Sequence, residues 1–219
     1  MELIAAGRDA DVFALDDRRV LRRYRDGRPA HRDAALLGAV VTAGYPAPAV
    51  LGVEGPGIVL ERVTGPTLGD ELLAGRRTAA DAGTLLAALH DRLHALPWDG
   101  GPLLHLDLHP VNVLLADRGP VVIDWTNARP GPPGLDVAMT AVICAQTVLS
   151  PEAAAVDGSS ATEVGNAARA LLAAFVAAVD PGYRDHLDEA VALRLANPTM
   201  TAVEVERLAD AGALASRPG

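Results

Sequence analysis

The sequence predicts an α+β fold in two parts, an antiparallel sheet with one helix followed by a mainly helical part that carries a small hairpin. Three observations point there. The first 63 residues hold five short apolar runs separated by turn chemistry. From "TGP" at 64–66 onward the apolar residues recur at helical spacing, interrupted once by "VNVLL…VVIDW". Half of the 219 residues are hydrophobic, enough to fill the core of one large domain or of two small lobes.

"ELIAAG", "DVFALD" and "RVLRRYR" read as a three-stranded meander turned by "GRDA" and "DDR". "PAHRDAALLGAVVTAGYP" follows as a helix that exits at Gly44 before Pro46. "VLGVE" and "GIVLERV", joined by Gly55 and Pro56, complete a five-stranded sheet with its helix inserted after the third strand. The boundary falls between 1–63 and 64–219. Beyond it, Thr67 with Asp70 and Thr78 with Asp81 have capping-box spacing. The remaining helices span Leu135 to Leu149, "AARALLAAFVAAV", "RDHLDEAVALRL" and a last one opening at Thr201 with Glu204. "SPEAAAVDGSSATE" reads as the one mobile stretch.

The formal charge of −9 argues against broad contact with nucleic-acid phosphates. No lysine is present, so every basic side chain is an arginine. Cys144, the single cysteine, rules out an internal disulfide, and its apolar surroundings make it a buried packing residue. No apolar run approaches the roughly 18 residues of a membrane span, and "MELIAAGRDAD" has no basic region followed by a long apolar core. A cytoplasmic protein with no membrane partner is expected; the composition is silent on oligomeric state.

"HLDLHPVNVLL" at 105–115 concentrates the chemistry. His105, Asp107 and His109 alternate along an extended segment and could converge on an ion, but the other close pair, His90 and His94, brackets "DRL" without the glutamate of a zinc protease. That pair reads as part of an amphipathic helix, with polar residues at its edge. A different pattern accounts for the whole segment. H-x-D-x-x-x-x-N, then strand, turn, strand and aspartate, is the arrangement of kinase-type phosphoryl transfer. That chemistry needs an aspartate at the acceptor hydroxyl, an asparagine reaching the metal and a second aspartate on the metal beside the phosphates. Asp107, Asn112 and Asp124 occupy those positions.

"HLDLHPVNVLL" and "GPVVIDW" resemble the aminoglycoside phosphotransferase family, small-molecule kinases of the protein-kinase-like fold, whose loop typically runs H-G-D-L-H-P-x-N. The resemblance implies a nucleotide-binding N-lobe, a catalytic C-lobe, ATP or GTP with Mg²⁺ as cofactors, and a small-molecule hydroxyl as phosphate acceptor. It makes Asp107 the catalytic base, Asn112 and Asp124 the metal ligands, and His105 a brace for the loop. Asp136, in "GLDVAMT", would help hold that loop. In "GIVLERV", Leu60 would be the gatekeeper, with the backbone of Glu61 and Val63 toward the adenine.

The sequence departs from the family at the phosphate-binding lysine, which Arg22 replaces in "RVLRRY", with Asp33 as the expected acidic partner. Gly7 alone serves the glycine loop, its turn amides facing phosphate. Asp185, Asp188 and Glu189 are candidates to meet a cationic acceptor, against the plainer role of a solvated helix face. Two rival functions are a nucleotide-binding pseudokinase and a compact protein-serine kinase. The intact Asp107, Asn112 and Asp124 weigh against the first, and "DWT" without an activation segment weighs against the second.

Overall fold

The structure is a computed structural model that describes residues 1–153, 159–198 and 200–217. The chain divides into two compact units, one formed by residues 1–65 with 114–126 and the other by 66–113 with 127–219. The hairpin expected within the second part therefore clusters with the first.

In the first unit, β1 (Glu2–Ala6), β2 (Ala10–Ala14), β3 (Arg19–Tyr24), β4 (Val50–Glu54) and β5 (Gly57–Glu61) form one antiparallel sheet in the order β1-β2-β3-β5-β4. Inner strand β5, between β3 and β4, reads as a nearly continuous apolar run because it is buried along most of its length. Edge strand β1 is exposed throughout. Helix α1 (His31–Thr42) buries Ala34, Leu37 and Val40, one stripe at i, i+3 and i+6, and packs against β4. Gly44, at φ +84°, ends it in the left-handed conformation that glycine tolerates.

Strands β7 (Val113–Ala116) and β8 (Gly119–Val122) form the hairpin. The Val122 amide donates to Pro46 O at 2.8 Å, which ties β8 to the connection before β4. A Cβ on Gly65 would lie 2.2 Å from Leu115 O, so only glycine admits the hairpin backbone there.

In the second unit, α2 (Leu68–Leu73) opens with a complete Thr67/Asp70 capping box. At α3 (Ala79–His94) only the Thr78 half forms, with Oγ1 accepting from the Asp81 amide. Helix α4 (Pro133–Leu149) is buried on nearly every side, as its all-round apolar sequence requires, and packs against α5 (Ala161–Ala178), α6 (Leu187–Leu195) and α8 (Leu208–Ala215). Gly83 of α3 lets its backbone meet α5 closely. Short strands β6 (Leu103–Leu104) and β9 (Arg129–Pro130) pair just before the 105–115 segment.

Two expectations change in this unit. "RDHLDEAVALRL" begins as a 3₁₀ turn, Pro181–His186, before α6. The segment opening at Thr201 is capped as expected, but it forms two short helices, α7 (Ala202–Glu206) and α8, broken at Arg207. Of the stretch expected to be mobile, 154–158 lie outside the described residues, while Ser160 and Glu163 form a capping box that starts α5. Cys144 is buried as expected, and burial pushes its thiol up to about 12. No single helix among the described residues is long and apolar enough to cross a membrane.

Candidate active site

The segment after β6 is an irregular loop held from below by one carboxylate. Asp136, fully buried in the first turn of α4, accepts the His105 amide on Oδ2 at 3.0 Å and the Leu106 amide on Oδ1 at 2.6 Å. Those two bonds hold Leu106 at φ +61°, a left-handed conformation that a bulky L-residue rarely adopts. Asp136 Oδ2 also lies 3.0 Å from His94 Nε2 and 3.4 Å from His90 Nδ1. Burial alone would raise its pKa, but the charges and hydrogen bonds of His90 and His94 hold it far below the ordinary carboxylate range.

His90 and His94 are therefore not at a polar helix edge. His90 is 1% exposed, and the pair faces the core beneath the loop. The Thr140 hydroxyl donates to Leu108 O at 2.7 Å, so His90 Nε2, 3.0 Å from Thr140 Oγ1, carries the hydrogen of that second bond. The ligand atoms of His90, His94 and Asp136 lie within 4.8 Å of one another, close enough to share an ion. Both Asp136 oxygens are already engaged by backbone amides, and Asp136 with His94 forms a hydrogen-bonded brace that His90 flanks.

On that brace, His105 Nδ1 accepts the Asp107 amide at 3.2 Å. Asn112 Nδ2 donates to Asp107 O at 2.9 Å and Oδ2 at 3.1 Å, closing the loop into a ring. With the amide nitrogen committed, Oδ1 is the coordinating atom that Asn112 offers. His109 Nε2 sits 3.1 Å from Asn112 Nδ2 and 3.7 Å from Asp107 Oδ2. Burial raises the Asp107 pKa, and His109, His105 and Arg194 together outweigh it, leaving the carboxyl below its ordinary range. Arg194 Nη1 stands 4.0 Å from Asp107 Oδ1. Beyond His109, an apolar pocket of about 100 Å³ is lined in part by Val111, Leu72, Ile143 and Leu171.

The remaining expected residues belong to the first unit. Asp124 adopts φ +63° at the end of β8, and its Oδ1 accepts from Arg22 Nη2 at 2.7 Å and from Thr126 Oγ1 at 2.9 Å. Arg22 also donates to Thr126 at 2.7 Å. The expected pairing of Arg22 with Asp33 is not formed. Asp33 instead accepts from the Tyr24 hydroxyl at 2.5 Å, and burial, then that bond, pushes the phenol up to about 12. The reason is strand parity. Arg22 and Tyr24 share a face of β3, Tyr24 reaches the first turn of α1, and the guanidinium lies 4.9 Å from the Tyr24 ring center on its way to Asp124.

Gly7 makes the expected tight turn, but its own amide donates to Ala10 O at 2.9 Å. Leu60 is buried. The Glu61 amide is spent on Ala49 O at 2.9 Å, and its side chain forms a two-point ion pair with Arg118. Val63 follows the end of β5 and is half-buried. Asp185, Asp188 and Glu189 are exposed. Sequence reasoning missed Arg194, Gln146, Thr140 and Thr126. Only Thr126 carried a local signal, two residues past Asp124, the expected metal ligand.

The donor atoms expected to hold a metal, Asn112 Oδ1 and the Asp124 carboxylate, are all oxygen, which fits a hard cation such as Mg²⁺.

Comparison with known proteins bears on the family and the fold. The family described as "Phosphotransferase enzyme family" (APH) matches residues 1–103 and 102–175. Among curated proteins, a probable serine/threonine-protein kinase PkwA of Thermomonospora curvata is 34% identical over 148 residues, 64% of this chain and 18% of that protein. A probable serine/threonine-protein kinase BUD32 homolog of Archaeoglobus fulgidus is 27% identical over 147 residues, 60% of this chain and 70% of the relative. Among solved structures, the gentamicin complex of APH(2")-IIa superposes with a TM-score of 0.60 at 12% identity, covering 98% of this chain and 91% of that one. A choline/ethanolamine kinase family protein from Mesorhizobium loti superposes at 0.57 with 17% identity, covering 100% and 89%. At those identities the likeness is one of fold, that of protein-kinase-like phosphotransferases. With the family match spanning most of its length, the chain belongs to the phosphotransferase enzyme family.

Proposed function

We propose that the protein transfers the γ-phosphoryl group of ATP, or of GTP, to a hydroxyl of a small molecule in an Mg²⁺-dependent reaction. The observation that carries this reading is the braced loop, in which Asp136 fixes the backbone, and His105 and Asn112 fix Asp107. A group anchored at this many points is preorganised, which is where phosphoryl transfer gains most of its rate.

In this reading the acceptor oxygen attacks the γ-phosphorus while the bond to the β-bridging oxygen breaks and ADP leaves. Asp107 orients the hydroxyl and takes its proton. Its depressed pKa makes it a weak base, so the proton moves late, once the oxygen is bonding to phosphorus and has become acidic. Arg22 supplies positive charge toward the phosphates and is aligned by Asp124 and Thr126. Asn112 and Asp124 would hold Mg²⁺, which when bound neutralises phosphate charge. The Val63 backbone beyond β5 and the Glu61 carbonyl would meet the purine, with Leu60 behind it.

The names of the two curated relatives favour a second reading, transfer to a serine of a protein. One experiment addresses both. ADP release is measured over a panel of sugars, amino alcohols, hydroxy acids and serine-containing peptides, for wild type and Asp107→Ala. A small-molecule acceptor whose turnover falls by about 10²–10⁴-fold in the variant, with nucleotide affinity unchanged, supports the proposal. Equal turnover in the two proteins overturns the role of Asp107, and transfer only to peptides favours the second reading.

A further inference from the structure

We infer that Gln146 and Arg194 form an acceptor-recognition site beside Asp107 that takes an anionic oxygen group, so that the alcohol phosphorylated here is a hydroxy acid or a phosphorylated alcohol rather than a polyamine. The inference rests on the reading of Asp107 as the residue at the acceptor hydroxyl.

Gln146 projects from α4 and Arg194 from α6, and both are largely buried, at 7% for Gln146 and 14% for the Arg194 side chain. Arg194 Nε donates to Gln146 Oε1 at 3.0 Å. That bond fixes which end of the amide is which and commits the Gln146 oxygen. Its nitrogen is left as a buried donor with no hydrogen-bond partner among the described residues. A buried donor left unpaired carries a desolvation cost that structures rarely tolerate without a reason.

The guanidinium stands 4.0 Å from Asp107 Oδ1, near enough to act on its charge but beyond hydrogen-bonding distance, so it flanks the carboxylate without capping it. Guanidinium and amide nitrogen together offer only donors. The group that satisfies the Gln146 nitrogen is an acceptor of hydrogen bonds, and beside a guanidinium an anionic one gains most because a charge-assisted bond to arginine is shorter and stronger than a neutral one. A polyamine in the same place would present ammonium to guanidinium. The acidic residues considered for a cationic acceptor, Asp185, Asp188 and Glu189, are solvent-exposed, whereas Gln146 and Arg194 are largely buried.

The test uses ¹⁵N-labelled full-length protein with AMP-PNP and Mg²⁺, reading the Arg194 and Gln146 side-chain signals, assigned by their loss in Arg194→Gln and Gln146→Leu. Glucuronate, glucose and glucosamine share one ring and differ in charge; acetate and inorganic phosphate separate carboxylate from phosphate recognition. The expected result is a saturable shift of both side-chain signals with glucuronate and with at least one of the two small anions. Arg194→Gln should weaken that binding about tenfold, as expected for one charge-assisted hydrogen bond. Arg194→Lys, which keeps the charge and loses the fork, should fall between. AMP-PNP affinity serves as the folding control for each variant. Tighter binding of glucosamine than glucuronate, or no response to any anion through the millimolar range in protein that binds AMP-PNP, overturns this inference alone. Absence of nucleotide binding in wild type overturns the phosphotransferase reading, and with it the role given to this pair.

Discussion

Replacing Asp136 by asparagine changes one oxygen for an NH₂ group and should cost the fold several kcal/mol. The carboxylate has two oxygens, and both are committed: Oδ1 to the Leu106 amide, Oδ2 to the His105 amide and His94. If the asparagine oxygen stays on Leu106, its NH₂ group turns toward two other donors. Each buried donor stripped of its acceptor costs about 1–3 kcal/mol, and the substitution removes the carboxylate that His90 and His94 face. The total falls near the roughly 3–5 kcal/mol typical of breaking a buried charged network. At about 2–4 °C per kcal/mol for a chain of this size, the melting temperature should drop by roughly 6–20 °C.

Circular dichroism melts and urea midpoints report that loss, and native-state hydrogen exchange at the His105 and Leu106 amides locates it. The pH dependence has a definite sign. Because the folded-state pKa of Asp136 is depressed, its stabilisation is complete above the ordinary carboxylate pKa of about 3.9 and is lost as pH falls through the lower folded value. The gap between wild type and variant should therefore persist down to about pH 4 and close below it. A variant melting within about 2 °C of wild type at neutral pH would refute the brace, since that margin corresponds to less than about 1 kcal/mol.

Leu106→Gly exchanges buried side chain for relief of a left-handed backbone worth about 1–2 kcal/mol. Set against the roughly 2–5 kcal/mol typical of truncating a core leucine, that relief should leave a net loss of about 0–4 kcal/mol in urea unfolding; a loss of about 5 or more contradicts the strain argument. Gly83→Ala would put a Cβ 2.8 Å from the α5 backbone at Ala174 and Phe175 and should destabilise by about 1–3 kcal/mol, whereas an unchanged melt would contradict the close packing of α3 on α5. Arg118→Ala removes a partly exposed ion pair with Glu61 and should change stability by about 1 kcal/mol or less. Cys144 should resist thiol reagents in native protein and react once urea unfolds it; rapid native labelling contradicts its burial. The depressed pKa of Asp107 keeps it ionised from pH 5 to 8, so a turnover profile that falls on an acid limb inside that window would have to titrate another group.

The sheet, its helix and the polar loop at 105–112 were legible because each is encoded locally. Alternation marks the strands, Gly44 marks the helix exit, and H-x-D-x-x-x-x-N sets its three polar side chains within one loop. What escaped was set by tertiary choice. Sequence reasoning paired Arg22 with Asp33 and gave Asp124 only a metal to hold; in the structure Tyr24 takes Asp33 and Arg22 bonds Asp124. His90 and His94 looked like a polar margin because periodicity reports spacing, not what faces a helix, and the buried Asp136 opposite reverses their environment. Arg194 lies 87 residues beyond Asp107 in the chain, and no local pattern connects them. The hairpin's membership of the first unit depends on Gly65 and on the bond from Val122 to Pro46, neither of which announces itself in sequence.

The most direct test of the account is isothermal titration of the protein with AMP-PNP, with and without Mg²⁺, beside Asp124→Ala. The account predicts binding that requires Mg²⁺ and is lost in the variant while the fold, read by circular dichroism, is retained. Binding that is indifferent to both Mg²⁺ and Asp124, or no binding at all, would contradict a nucleotide-dependent phosphotransferase built on Arg22, Asn112 and Asp124.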